Sequence, residues 1–142
     1  MEIQTLLDDA FKSGIRDPIK WMRSRGLQMF HWLKGAFPRG ILPSDCDGEV
    51  EINGQFLRLE FKHDELVRKN MIPKGQARQF QALVKTGVFT VFIVGHDDKG
   101  KPTCLRVMRM TDGETREDYL EECDTGKLKS LAANWSNKAK NL

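Results

Sequence analysis

The 142-residue chain lacks the features of membrane, secreted and cysteine-rich proteins. No apolar run approaches the roughly 18 residues that span a bilayer, and residues 1–9 carry acids without the basic segment that opens a secretory signal. The three cysteines are an odd number without C-x-x-C spacing, which argues against a disulfide framework and a cysteine-rich zinc site: Cys46, Cys104 and Cys123. We therefore expect one cytoplasmic domain over residues 1–142.

Histidine is also scarce, and charge of one sign is missing from whole segments. The three histidines show no metal-binding spacing such as H-x-x-x-H. Residues 45–60 hold five acids against a single base, whereas residues 16–39 hold six bases and one acid, and residues 61–86 hold six bases and two acids. An acidic segment between basic segments is typical of a metal site bordered by a phosphate-binding surface. Solvent-exposed surfaces of alternating charge, without any binding site, would give the same pattern.

The Asn53-Gly54 dipeptide lies between two runs of alternating apolar residues. This arrangement is the strongest short-range signal for a β-hairpin with a two-residue turn. If these two residues form the turn, Asp47 lies opposite Glu60 and Asp45 lies opposite Lys62. Because side chains alternate along a strand, the four charged groups share one face, which we expect to be the outer face of the hairpin.

Phosphodiester hydrolysis needs a cation on the phosphate, an activated water and a stabilised transition state. Asp47 and Glu60 supply two oxygen ligands for Mg²⁺, which keeps several of its own waters and therefore needs few protein ligands. The backbone carbonyl of Phe61 is the third candidate ligand. Lys62 would stabilise charge on the transition state, and Asp45 is a secondary candidate on the same face. Paired charges on an exposed strand remain the simpler interpretation of this pattern.

The rest of the chain predicts an α/β fold with a mixed sheet. Helical periodicity lies in the N-terminal residues 3–34 and near the C-terminus, and a short helix precedes a continuously apolar strand at 88–94. A strand–helix–strand step from the hairpin to this strand makes the two strands parallel. The remaining expectations are a loop at 64–74, a helix at 76–85, a strand at 103–110, a helical turn within the acidic segment 112–124, and a helix at 125–140.

These motifs resemble the PD-(D/E)XK nuclease superfamily, in particular its VRR-type and Holliday-junction-resolvase-like members. Its aspartate corresponds to the stretch Pro43-Ser44-Asp45-Cys46-Asp47-Gly48, and its (D/E)-x-K motif to Glu60-Phe61-Lys62. The following helix and strand match the VRR-type branch, in which a glutamine of the helix points back to the active site. Gln76 has the matching position, with Gln79 as the alternative. The resemblance covers about residues 41–95. Proline and aspartate are not adjacent here, so the motif does not decide whether Asp45 or Asp47 is the matching aspartate. The glutamate that the superfamily often carries on an N-terminal helix has no counterpart either, because residues 18–40 contain no acid.

The resemblance implies a restriction-endonuclease-like core, a central mixed β-sheet flanked by α-helices. It also implies Mg²⁺-dependent cleavage of DNA, endonucleolytic or exonucleolytic, with Mn²⁺ as a substitute ion. By the same resemblance we expect a structure-selective or nicking enzyme, a homodimer as junction-cleaving relatives often are, and an origin in a phage or mobile element. Phosphate contacts are expected from three cations of the post-motif segment: Lys74, Arg78 and Lys85. Two other functions fit the same residues, namely a non-cleaving nucleic-acid-binding module on a nuclease scaffold and a protein-interaction factor with an acidic docking segment.

Overall fold

The computed structural model describes Gly35, Ala36, Pro38–Gly40 and Cys46–Leu142. The chain divides into two units at the boundary between residues 45 and 46. In the first unit, Pro38–Gly40 forms a 3-10 turn. The expected N-terminal helices at 3–34 and the candidate residue Asp45 lie outside the described residues, and the expected single domain stays a prediction.

The second unit is an α/β structure with a mixed sheet, as predicted, and the sheet has five strands. The strands lie in sequence order: β1 (Gly48–Ile52), β2 (Gln55–His63), β3 (Phe89–His96), β4 (Pro102–Thr111) and β5 (Glu114–Leu120). The β2 and β3 strands are parallel, which confirms the predicted crossover, and the other neighbours are antiparallel. The helices are α1 (Asp64–Arg68), α2 (Lys74–Lys85) and α3 (Thr125–Lys140). The last agrees with the predicted helix at 125–140.

Two elements differ from the sequence-based expectation. Part of the expected loop at 64–74 forms the short helix α1. Its first turn carries two acids, and the His63 ring accepts a hydrogen bond from the backbone N–H of Glu65. The acidic segment 112–124 forms the strand β5 rather than a helical turn. Asp112 and Gly113 have φ values of 52° and 81°, so they make a two-residue hairpin turn that pairs Thr111 with Glu114.

The sheet is covered on both faces by apolar side chains. On the face of α1 and α2, the buried cluster consists of Val67, Phe80, Val84, Val91, Ile93, Cys104 and Met108. On the opposite face, the cluster packs against α3 and consists of Leu57, Phe92, Val94, Leu105, Val107 and Cys123. Because side chains alternate between the two faces along β3, this strand contributes residues to both clusters, which explains why it is continuously apolar. The sheet therefore forms a rigid platform between two layers of helix.

Gly95 of β3 lies where α1 approaches the sheet most closely. A Cβ at this position would overlap Sγ of Cys104 and would lie 3.1 Å from Cα of Asp64. Only glycine therefore allows the start of α1 to approach the end of β3 at this distance. Within the part of the chain that the structure describes, no helix is long and apolar enough to span a membrane.

Candidate active site

The hairpin brings Asp47 and Glu60 together in the register that the sequence predicts. Asn53 and Gly54 occupy the turn with φ values of 53° and 77°, and the ladder runs from Ile52 opposite Gln55 to Gly48 opposite Leu59. Asp47 directly precedes β1, so it stands one step beyond the last pair. Its Oδ2 accepts a hydrogen bond of 2.8 Å from the backbone N–H of Phe61. The aspartate is thus fixed against the strand that carries the glutamate.

Glu60 is buried, which corrects the expectation that its face of the hairpin is an outer face. Its relative exposure is 4%, and it is the one buried charged side chain among the described residues. The α2 helix lies over this face of the sheet, and Nε2 of Gln76 donates to Oε2 of Glu60 across 3.4 Å. Of the two glutamines that the sequence offers, Gln76 is therefore the one that contacts the carboxylate. Gln79 is exposed.

The pKa of Glu60 is raised from 4.5 to about 7. Burial is the largest cause, because removal from water disfavours the charged form. The charge of Asp47 and a hydrogen bond between the two carboxyl groups raise it further, while the positive charges of Lys62 and Arg58 lower it. Glu60 therefore sits in a site where its own negative charge is poorly compensated. Such a site favours either a proton or a cation.

Two cations flank Glu60 on the same face of β2. Lys62 is half-buried, lies beside Gly95 of β3, and acts on Glu60 through its charge. Arg58 is bound to Oε1 of Glu49 through both Nη2, at 2.9 Å, and Nε, at 3.0 Å. Sequence analysis missed Arg58 as a member of the site. Its position two residues before Glu60 is the signal that could have placed it on this face.

The three cations expected to contact phosphate lie together on the outer side of α2. All three are exposed, and at 100° per residue they fall within about 40° of one another. Gln76 and the buried Phe80 lie on the side facing the sheet. We call this set of three cations the basic stripe: Lys74, Arg78 and Lys85. The stripe begins at the end of α2 that carries Gln76, and it leads away from the carboxylates along the helix.

The third predicted ligand is the backbone carbonyl of Phe61, and the side chain of this residue is more exposed than expected. The N–H of Phe61 points toward Asp47, and the carbonyl of the same residue points to the same side because a strand residue directs both groups together. The Phe61 side chain, expected in the core, is 46% exposed. Within the described residues, no group of three or more His, Cys, Asp or Glu side chains could hold a metal ion. The protein ligands available here are thus two carboxylates and one carbonyl.

Comparison with protein-family models, with curated protein sequences and with solved structures gave no match.

Proposed function

We propose that this protein is a metal-dependent nuclease that hydrolyses phosphodiester bonds in DNA. The observation that carries the proposal is the buried Glu60 held between Asp47 and Gln76 at the end of a hairpin, with Lys62 on the same face. Each of these groups has a role in phosphoryl transfer, and a merely structural hairpin does not need a buried glutamate. The restriction-endonuclease-like core belongs to this proposal.

The donor set fits Mg²⁺ rather than a softer ion. Two carboxylates and the Phe61 carbonyl are hard oxygen ligands, and Mg²⁺ binds through one or two carboxylates while keeping its waters. Zinc sites instead use three or four side chains from Cys, His and acids, and no such group occurs among the described residues. The raised pKa of Glu60 supports the assignment, because two adjacent carboxylates with insufficient positive charge attract a divalent cation.

Each residue of the site would have its own role in the reaction. Asp47 and Glu60 would hold the ion, which when bound neutralises phosphate charge and lowers the pKa of a coordinated water. Gln76 orients the Glu60 carboxylate through its amide. Lys62 places an ammonium where negative charge develops on the phosphate, and it needs no proton transfer to stabilise that charge.

The surroundings of the site favour a polyanionic substrate. The α2 helix begins after Pro73 with no acid in its first turn and no side-chain cap, so its first N–H groups are available to an anion. The basic stripe continues the positive surface along the same helix. Neutralising three phosphates gives a slope of about −2 to −3 in a plot of log affinity against log salt.

A cleavage assay tests the proposal directly. Labelled single-stranded, duplex and branched DNA is incubated with the protein in Mg²⁺, Mn²⁺ or EDTA. We expect cutting that depends on the metal and that falls about 10²- to 10³-fold in Asp47→Ala, Glu60→Gln and Lys62→Ala. The matched controls are Glu51→Gln, an exposed acid of the same hairpin, and Lys69→Ala, an exposed lysine after α1. A folded Glu60→Gln protein that cuts as fast as the wild type would refute the site.

A nucleic-acid-binding module that does not cleave is the second candidate. The basic stripe favours it, because these cations lie on the outer side of α2 and act independently of the carboxylates. This candidate predicts salt-sensitive DNA binding that weakens in Arg78→Ala and that persists in EDTA, without cutting in any metal. Cutting by the wild type in Mg²⁺ would exclude it.

A further inference from the structure

Arg58 lies on the same face of β2 as Glu60, but its guanidinium is bonded to a different acid. Alternate residues of a strand are about 7 Å apart, a distance that an arginine side chain can span. Glu49 lies directly opposite Arg58 in the hairpin, and its Oε1 accepts from both Nη2, at 2.9 Å, and Nε, at 3.0 Å. The hydrogen bonds of the Glu60 carboxyl are instead with Gln76 and Asp47. The Arg58 guanidinium is thus paired across the hairpin rather than along its own strand.

A second contact holds the guanidinium on the side away from Glu60. Its Cζ lies 5.9 Å from the centre of the Phe89 ring, a distance at which the face of an aromatic ring attracts a cation. Phe89 lies beside Phe56, which precedes Arg58 by two residues, whereas Glu60 follows Arg58 by two residues. The Phe89 ring also stacks on Phe56, with ring centres 4.8 Å apart and an angle of 15° between the planes. The ring and the salt bridge therefore both draw Arg58 away from the carboxylate.

The partner of Arg58 matters because its side chain has little access to water. The side chain is 14% exposed, and a charge with so little water needs an opposite charge beside it. Without Glu49, the acids of this face that remain are the carboxylate pair of the site and Glu51. Glu51 is exposed, and its Oε1 already accepts from the N–H of Gly54. Glu60 is buried among poorly compensated negative charge, so it would attract a released guanidinium more strongly.

We propose that Glu49 is a positioning residue, which keeps Arg58 away from Glu60 and so leaves the pair of Asp47 and Glu60 free for a divalent cation. The inference rests on the metal site of the proposed function and adds to it the residue that controls the metal affinity. A guanidinium and a divalent cation compete for the same carboxylate oxygens. An Arg58 side chain released from Glu49 would therefore oppose metal binding.

Titration with Mn²⁺ in the absence of DNA tests the positioning. Electron paramagnetic resonance measures the free Mn²⁺ and gives its Kd. Glu49→Met has a side chain of similar length without an acceptor for Arg58, and we expect it to weaken Mn²⁺ binding about 10- to 100-fold. Glu49→Gln loses the same charge but keeps an oxygen that accepts from Arg58, so its effect should be smaller. Glu51→Met removes an equivalent exposed charge one pair nearer the turn and should weaken binding no more than about fourfold.

A double-mutant cycle separates release of Arg58 from simple loss of a negative charge. In an Arg58→Met protein there is no guanidinium to release, so adding Glu49→Met should weaken Mn²⁺ binding no more than about fourfold. Weakening by the same factor in the presence and in the absence of Arg58 would refute the positioning. Wild-type Mn²⁺ affinity with a lowered Tm in Glu49→Met would also refute it, because the salt bridge would then only support the hairpin.

The outcomes also separate the positioning from the cleavage, because the titration contains no DNA. The expected affinities in a protein that never cuts DNA would support the positioning and overturn only the nuclease function. Metal-dependent cutting by the wild type, with equal effects of Glu49→Met in both backgrounds, would overturn the positioning alone. A wild-type protein that binds no Mn²⁺ would overturn both.

Discussion

Replacement of Glu60 by glutamine is expected to stabilise the protein at high pH and to remove the cleavage activity that we propose. The pKa of Glu60 is 4.5 ordinarily and about 7 in the folded protein. Below pH 4.5 the carboxyl is protonated in the folded and unfolded chains alike, so it has no effect on the free energy of unfolding. Between pH 4.5 and 7 the folded protein retains a proton that the unfolded chain has lost, so stability falls as pH rises. Above pH 7 the full cost is present.

The size of this cost follows from the shift. At 1.36 kcal/mol per pKa unit, the difference between 4.5 and about 7 corresponds to about 3 kcal/mol. Most of it, about 2.5 kcal/mol, develops between pH 5 and pH 8. Glutamine has nearly the same shape, can still accept from Gln76 and carries no charge. Relative to the wild type, Glu60→Gln should therefore gain about 2.5 kcal/mol over this pH range, or about 10 °C in Tm.

Urea and thermal denaturation followed by circular dichroism at pH 5 and pH 8 measure the effect. Glu114→Gln removes the charge of an exposed acid on β5 and should keep the pH dependence of the wild type within about 0.5 kcal/mol. At pH 8, Mg²⁺ at ten times its Kd should stabilise the wild type by about 1.4 kcal/mol and leave Glu60→Gln unchanged. The same pH dependence in the wild type and in Glu60→Gln would refute the argument that an uncompensated carboxylate is buried at this site.

Three further substitutions test the fold around the site. Gln76→Ala should lower Mg²⁺-dependent cleavage about tenfold because it frees the Glu60 carboxylate; an equal loss in Gln79→Ala would contradict the choice of Gln76. Gly95→Ala should cost about 1–3 kcal/mol in urea denaturation, since its methyl group overlaps Cys104; an unchanged midpoint would contradict this close approach. Asn53→Ala should cost about 2 kcal/mol, because it loses two hydrogen bonds to α3 and the tolerance of asparagine for a positive φ. Asn53→Gly tolerates this φ and should cost less in the same assay.

The register of the hairpin could be predicted from the sequence because a two-residue turn leaves one way to pair the strands. Asn53 and Gly54 alone determine that Asp47 follows the last pair toward Glu60. Asp112 and Gly113 carry the same signal for the second hairpin, and the seven acids of residues 112–124 obscured it. A strand rich in acids is stable here because its charges pair across the ladder, as Asp118 does with Arg109 at 3.2 Å.

The burial of Glu60 could not be predicted from the hairpin alone. Alternation shows which side chains share a face, but it does not show which face a later segment covers. Here α2 covers the face with the charges, and this placement depends on the crossover that begins after β2. The exposure of Phe61 was missed as well, because alternation placed this side chain on the apolar face of the hairpin with Leu57 and Leu59.

The side chain of Asn53 connects the hairpin turn to a part of the chain that is made much later. Its Nδ2 donates to the carbonyls of Ala139 and Lys140, which follow it by 86 and 87 residues. During synthesis the hairpin can pair as soon as it leaves the ribosome, but this attachment must wait until the end of α3 has emerged. At about 5–20 residues per second this interval lasts several seconds. The hairpin turn thus reaches its final support only after all five strands of the sheet have been made.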